Sequence, residues 1–238
     1  MAFGGLRGTL SGGATAIPVG GAMAASGSVS VSVGDLLVAV VAEVGANTVT
    51  GVTDSLGHTY TAQNAGSLST VGGRAFWFIA TAGGTLTSVT GTGTASSNDF
   101  AIAAAAFSGA FTASPLDTSP ANATDATSPF TCTATGTLAQ AAELVIAGFA
   151  LTRGQTNTAA TSPNLLAVNA ASAAANAANS CCAAIGYQVV AATTSVVPAF
   201  TCASGTFNGA VEFTMSFKAA PQSVVPMVCM HQAQQRGA

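Results

Sequence analysis

Charge is what this sequence has least of. Asp, Glu, Lys and Arg make up 5% of 238 residues, five basic side chains against eight acidic ones, where soluble domains carry about 25%. A folded chain of 22.9 kDa exposes on the order of 9,600 Å², which leaves roughly 700 Å² for each charge. The surface must therefore be Ser, Thr, Asn, Gln, Gly and Ala, and a net charge of −3 gives it little protection against self-association. A free monomer of this kind is a poor colloid, whereas a subunit covered by neighbours loses nothing.

The other scarcities exclude whole classes of function. Arg7, Arg74, Arg153, Lys218 and Arg236 are too scattered to neutralise several phosphates, which argues against nucleic-acid binding. Apolar runs stop at about ten residues, short of the roughly 20 a membrane helix needs. Near the N-terminus Arg7 is followed by no compact apolar block, because Gly and Ser interrupt throughout, so Sec export is not expected. The five cysteines, Cys132, Cys181, Cys182, Cys202 and Cys229, are odd in number and include no CxxC. That fits neither a disulfide scaffold nor a zinc site and predicts buried, reduced thiols made in a reducing cytoplasm.

Catalytic constellations are also missing. Only His58 and His231 could serve as bases; neither has a GxSxG or an obvious acid beside it, and both read as solvated or casually bonded imidazoles. The carboxylates weighed as an acid/base pair include Asp35, Asp54, Asp99, Asp117, Asp125, Glu143 and Glu212. Asp35 and Glu143 occupy equivalent strand starts, where a carboxylate is expected to bond local backbone N–H groups. Asp54, Asp117 and Asp125 lack the clustered oxygens of a calcium loop. The glycine pairs at 12–13, 20–21, 72–73 and 83–84 have no Lys and no following helix, so they read as turns rather than phosphate cradles. The expectation is a protein that is not an enzyme, with no catalytic, cofactor or metal site.

What is present is strand signal. GDLLVAVVAEV at Gly34 to Val44 and AAELVIAGFAL at Ala141 to Leu151 are near-continuous apolar runs closed by Gly or polar residues, the pattern of strands buried on both faces. Hydrophobic residues reach 49% but aromatics only 6%, so the core must be small side chains with a few Phe anchors between closely spaced sheets. The fold class predicted is all-β, an antiparallel β-sandwich.

Residues 1–27, rich in Gly, Ala and Ser, read as an N-terminal arm or a loosely held first strand. SVSVSV then alternates with period two. The stretches 48–53 and 58–63 flank the turn Asp54-Ser55-Leu56-Gly57 and read as a hairpin. A Gly/Ser loop leads to RAFWFIA, with Trp77 opposite Phe76 and Phe78, then to TLTSVTGTGT and DFAIAAAAF. The last is apolar on both faces, so it lies centrally or meets another chain. Residues 111–129, with Pro115, Pro120 and Pro129, read as a connector. In the final strand Phe213, Met215 and Phe217 alternate with Glu212, Thr214, Ser216 and Lys218, which predicts one core face and one wet face. Residues 221–238 form a tail whose prolines and apolar residues must dock on the body or on a partner.

Beyond the connector the order returns. Placing Trp77 on Tyr187 gives an offset of 110 that also aligns Leu86 with Val196, Asn98 with Asn208 and Phe107 with Phe217; earlier, Asp35 aligns with Glu143 at 108. The reading is a duplicated unit, with halves 28–110 and 130–220 sharing one core across 28–220, and an insertion between Ala167 and Ser180. Trp77 and Tyr187 could form a sugar-stacking platform, with the loop from Asn64 to Gly73, but equivalent positions on equivalent strands favour the core. The Thr-rich run does not repeat at the constant register an ice-binding face needs.

The strings GDLLVAVVAEV, VTGVTDSLGHTYTAQ, RAFWFIATAG and DFAIAAAAFSG followed by PLD, in that order, resemble a β-sandwich domain of bacteriophage virion proteins and some bacterial surface proteins. The resemblance spans Ser28 to Asp117 and, through the repeat, Phe130 to Ala220. It implies a jelly-roll-like sandwich without catalytic residues. It also implies a virion structural role, with decoration of the capsid first and a tail, fibre or carbohydrate-binding adhesion role as the alternative. The partners would be major capsid or tail proteins and copies of the same chain, with the arm or the tail as anchor.

Overall fold

The computed structural model describes residues 5–17, 21–45, 49–68, 70–93, 98–109, 111–152, 158–162, 168–171, 180–202 and 209–219. Among them every regular element is a β-strand and every pairing is antiparallel. No helix of the described residues is long and apolar enough to cross a membrane. The tail at 221–238, with His231 and Cys229, lies outside the described residues.

The first unit contains β1 (Leu6–Ile17), β2 (Ala22–Val31), β3 (Leu36–Val44), β4 (Val49–Asp54), β5 (Thr61–Leu68), β6 (Val71–Ile79), β7 (Gly84–Gly93) and β8 (Asn98–Phe107). Their order in one 8-stranded sheet is β4-β7-β2-β1-β8-β3-β6-β5. The sheet folds on itself where β1 meets β2, so β1-β8-β3-β6-β5 forms one layer and β4-β7-β2 the other. This is jelly-roll order, and the two ends approach through a bridge between Thr53 and Thr59. Inside lies a core that includes Leu10, Val29, Leu37, Val41, Val52, Phe76, Leu86, Phe100 and Ile102.

The second unit repeats the order. β9 (Phe111–Thr118) and β10 (Ala123–Asp125) both pair with β17 (Ala210–Ala219), and the layer continues through β12 (Glu143–Thr152), β15 (Cys181–Val190) and β14 (Val168–Ala171). The facing layer is β11 (Phe130–Thr131), β16 (Ala199–Cys202) and β13 (Thr158–Ser162). The register carries the offsets expected from the sequence. Val38 faces Trp77 and Leu36 faces Phe107 in the first unit; Ile146 faces Tyr187 and Leu144 faces Phe217 in the second. Of the insertion expected between Ala167 and Ser180, all but 168–171 and Ser180 lies outside the described residues.

The units meet through their larger layers, outer face to outer face. Leu36, Val38, Val40, Ala103 and Phe107 of one pack against Leu144, Ile146, Ile185, Phe213 and Phe217 of the other in a single buried cluster. Alanine and glycine set the spacing. A Cβ on Gly73 would lie 2.5 Å from Ala150 Cβ, and one on Gly148 would lie 2.5 Å from Val40 Cγ2. The two runs that announced themselves as doubly buried, β3 and β12, are buried at every position. The Ala-rich β8 is central, between β1 and β3, with both faces covered.

Several local readings change. Most of 1–27 is β1 and the start of β2, strands too poor in apolar residues to announce themselves; β1 is held by its ladder to the Ala run of β8. Gly12 lets β1 pass β2, because a Cβ there would lie 2.7 Å from Ala24 O. Gly12-Gly13 and Gly72-Gly73 therefore sit inside strands that need close approach, not in turns. The turn at Asp54 forms, with Gly57 at φ 85, but its flanks separate: β4 pairs with β7, and β5 with β6. The loop read at 64–73 is mostly the β5–β6 pair. The connector 111–129 carries β9 and β10, which take the place of β1 beside β17. Finally, the side of β17 predicted to be wet is buried: Glu212, Thr214 and Ser216 are at most 4% exposed, because the β11-β16-β13 layer covers them.

Candidate functional site

The polar face of β17 is the feature that the fold does not require. Shifted back by 110, Glu212, Thr214 and Ser216 correspond to Ile102, Ala104 and Ala106 of β8, which fill the first unit's interior with apolar groups. The second unit places a carboxyl and two hydroxyls at the same positions of the same architecture. Thr214 Oγ1 donates to Thr133 O at 2.8 Å, and Ser216 Oγ lies 3.0 Å from Thr118 Oγ1 while accepting Thr118 N–H at 3.2 Å. Glu212 is 1% exposed, and among the described residues no side chain donates a hydrogen bond to its carboxyl oxygens. Burial, then the Asp125 carboxylate nearby, pushes its pKa up to about 8. Beside it the buried Cys132 thiol is pushed up to about 12, by burial first and by Glu212 next, so it stays protonated.

At the other end of this row the units differ again. In the first, Arg7 on β1 donates from Nη2 to Asp35 Oδ1 at 3.0 Å, and its Nε sits 2.5 Å from Oδ2. Asp35 Oδ2 also accepts Ser32 N–H at 2.7 Å. In the second, Glu143 Oε1 accepts Gln140 N–H at 3.0 Å, the same bond to the residue three before. Both acids thus bond local backbone, as expected from their equivalent strand starts. The position of Arg7, however, is taken by Asp117, whose carboxylate acts electrostatically on that of Glu143. Burial, then Asp117, raises the Glu143 pKa, although the Gln140 amide works against this. Partial burial works upward on Asp117 too, but the Ala139 amide and Lys218, 3.2 Å away, hold it below the usual carboxylate range. An ion pair in one unit is replaced by two neighbouring carboxyl groups in the other.

His58 is neither solvated nor casually bonded. It is 4% exposed, with Nδ1 2.9 Å from Asp54 Oδ2 and Nε2 accepting Ala82 N–H at 3.2 Å. An N–H donated to Nε2 places the ring proton on Nδ1, facing the carboxylate. Asp54 Oδ1 accepts from Leu56 and His58 N–H, Oδ2 accepts from the Tyr60 hydroxyl, and Phe78 lies 5.0 Å from the imidazole. Burial first, then Asp54, raises the Tyr60 pKa. With both nitrogens engaged, this Asp-His pair has no lone pair to offer a nucleophile; it locks the turn between β4 and β5.

Trp77 and Tyr187 do not form an outer platform. Trp77 packs edge-on against Phe217 at 5.6 Å, and Tyr187 against Phe107 at 5.0 Å, both between the units. Cys132, Cys181 and Cys182 are buried thiols outside any disulfide; the side chains of Cys202 and Cys229 lie outside the described residues. Among the described residues no three His, Cys, Asp or Glu side chains gather as a metal site. The outward positions of β2, β4 and β7, among them Ala24, Ser26, Ser30, Thr53, Thr85 and Thr87, are exposed and uncharged.

The row on β17 could not be found from sequence alone, because its alternation matches an ordinary half-buried strand. The signal that could have found it is the internal comparison, Ile102 against Glu212. Set against family models, curated proteins and solved structures, the chain matches none.

Proposed function

We propose that the chain is a structural subunit of a bacteriophage particle, a paired jelly-roll that decorates the capsid through its neutral outer faces. The observation that carries this reading is the β4-β7-β2 layer, whose exposed Ser, Thr and Ala present a face without charge. Such a face has no long-range repulsion between copies and no charge to desolvate on docking. Jelly-rolls are also a frequent architecture of viral capsid proteins. The action is mechanical: many weak contacts of this kind, repeated around a shell, add to a strong attachment. Because 6–17 and 22–31 are strands, docking in this reading belongs to the outer face rather than to an N-terminal arm. Mass spectrometry and cryo-EM of particles from a phage encoding the chain should find it in many copies with that face against a neighbour; particles without it would overturn the reading. Sedimentation should show concentration-dependent association that charge substitutions such as Thr87→Lys suppress.

A further inference from the structure

We propose that the chain joins the side chains of Lys218 and Asp117 through an amide bond, in a reaction on itself for which Glu143 carries the proton. The inference is independent of the virion reading and rests on three neighbouring strands of the second unit.

Register brings the three groups together. β17 lies between β12 and β9. On one side Glu143 of β12 is the partner of Lys218. On the other, Leu116 and Thr118 of β9 pair with Phe217 and Ser216, which leaves Asp117 beside Lys218, with Nζ 3.2 Å from Oδ1. Thr118 is fastened to Ser216 through both its N–H and its hydroxyl, so the backbone next to the pair is held. Asp117 Oδ2 accepts the Ala139 N–H at 3.0 Å, and Glu143 Oε1 accepts the Gln140 N–H at 3.0 Å. The Lys218 and Asp117 side chains are 32% and 10% exposed, and Glu143 is fully buried.

A plain ion pair does not need this arrangement. The first unit makes one from Arg7 and Asp35, with Ser108 in the place of Lys218. A guanidinium keeps its charge, whereas a lysine amine becomes a nucleophile once it gives up a proton. The second unit supplies that amine, a carboxyl in contact with it, and a second carboxyl that would only weaken an ion pair. Burial acts first to raise the Glu143 pKa, which suits this acid to hold a proton and pass it on.

The step balances without an outside reagent. Glu143 gives its proton to Asp117 Oδ1 and takes one from the Lys218 ammonium, leaving a neutral amine beside a neutral carboxyl. Nζ attacks Cγ, and the charge that develops on Oδ2 meets the Ala139 N–H. Nζ then returns a proton to Glu143 while Glu143 protonates the departing hydroxyl; the Cγ–Oδ1 bond breaks, the Cγ–Nζ bond remains and one water leaves. Nζ already touches the carboxyl, so a turn of the lysine side chain, without movement of either strand, brings it onto Cγ. The β9–β17 ladder slips twice within its three pairs, and the amide supplies the tie that this ladder lacks. It also closes a loop of 101 residues, joining the first strand of the second unit to its last.

The test is intact-mass spectrometry of the purified full chain in denaturant. The expected mass is that of the sequence less one water, and a protease digest should contain a branched peptide joining the Asp117 and Lys218 segments. Lys218→Arg and Asp117→Ala should restore the full mass. Asp117→Asn should still cross-link, releasing ammonia and reaching the same final mass as the parent, which separates the amide from ring closure at the aspartate alone. In freshly made chain that still melts cooperatively, Glu143→Gln should slow bond formation by about 100-fold or more. Lys218→Arg should melt roughly 10–20 °C below the parent, the loss expected when a loop of this span is opened. The branched peptide decides the matter even if a variant folds poorly. A parent chain at full mass, or a water loss that survives Lys218→Arg, overturns the cross-link; undiminished formation in Glu143→Gln overturns the part given to Glu143.

Discussion

Trp77 meets Phe217 edge to face at 5.6 Å and 68°, and the equivalent pair, Tyr187 with Phe107, repeats the contact at 5.0 Å and 66°. Each aromatic thus meets the counterpart of its neighbour. That reciprocity is the mark of an isologous interface, here within one chain. Val40 and Gly148, equivalent at an offset of 108, pack on each other, as residues on the local two-fold axis must.

The aromatic pairs should therefore be worth similar amounts. Trp77→Ala and Phe217→Ala are each expected to lower stability by about 3–5 kcal/mol, and a double-mutant cycle between them should give a coupling of about 0.5–1.5 kcal/mol. The Phe107 and Tyr187 cycle should match it. Urea unfolding measures both; a coupling near zero for either pair would remove that pair from the interface.

On the axis, only one of the two equivalent residues can carry a side chain. Gly148→Val would drive a branched chain into Val40 and should destabilise by at least the 1–3 kcal/mol typical of overpacking. The exchange Val40→Gly with Gly148→Val should recover most of that loss. If the double variant is no more stable in urea than Gly148→Val, Val40 and Gly148 do not face each other.

Glu212 makes stability depend on pH with a defined sign. Burial raises its pKa from the ordinary 4.5 to about 8, so between these values the folded state holds a proton that the unfolded state releases. Stability is then fully present below about 4.5 and declines as pH rises through about 8, by up to about 1.4 kcal/mol per unit. Glu143, also raised, adds in the same direction. Denaturation from pH 5 to 9 should show the decline for the parent and a shallower one for Glu212→Gln; equal slopes would contradict the assignment.

His58 should carry its ring proton on Nδ1, because Nε2 accepts the Ala82 amide. Long-range ¹H–¹⁵N spectra at pH 7 should show that tautomer. His58→Ala strands Asp54 and the Ala82 amide, which is expected to lower stability by about 1–3 kcal/mol. A spectrum with the proton on Nε2 would contradict the bond from Ala82.

The sequence by itself determined the class of fold, the doubly buried strands β3 and β12, a β8 apolar on both faces and the duplication, because apolar character on both faces and offsets of 108 and 110 are written in residue order; that β8 lies at the centre was decided by the fold. It could not show that Leu6–Ile17 is a strand, since Gly, Ser and Thr there carry no periodicity and the ladder to β8 supplies the order. Only the tertiary structure decided the state of Glu212. Alternation along β17 states that two faces differ; whether the polar face meets water depends on a layer, β11-β16-β13, built from residues far away in the chain. The same limit hid His58, whose partner Ala82 lies across the unit. Local pattern reports which side chains point together, and the distant strands that cover them decide what those side chains can do.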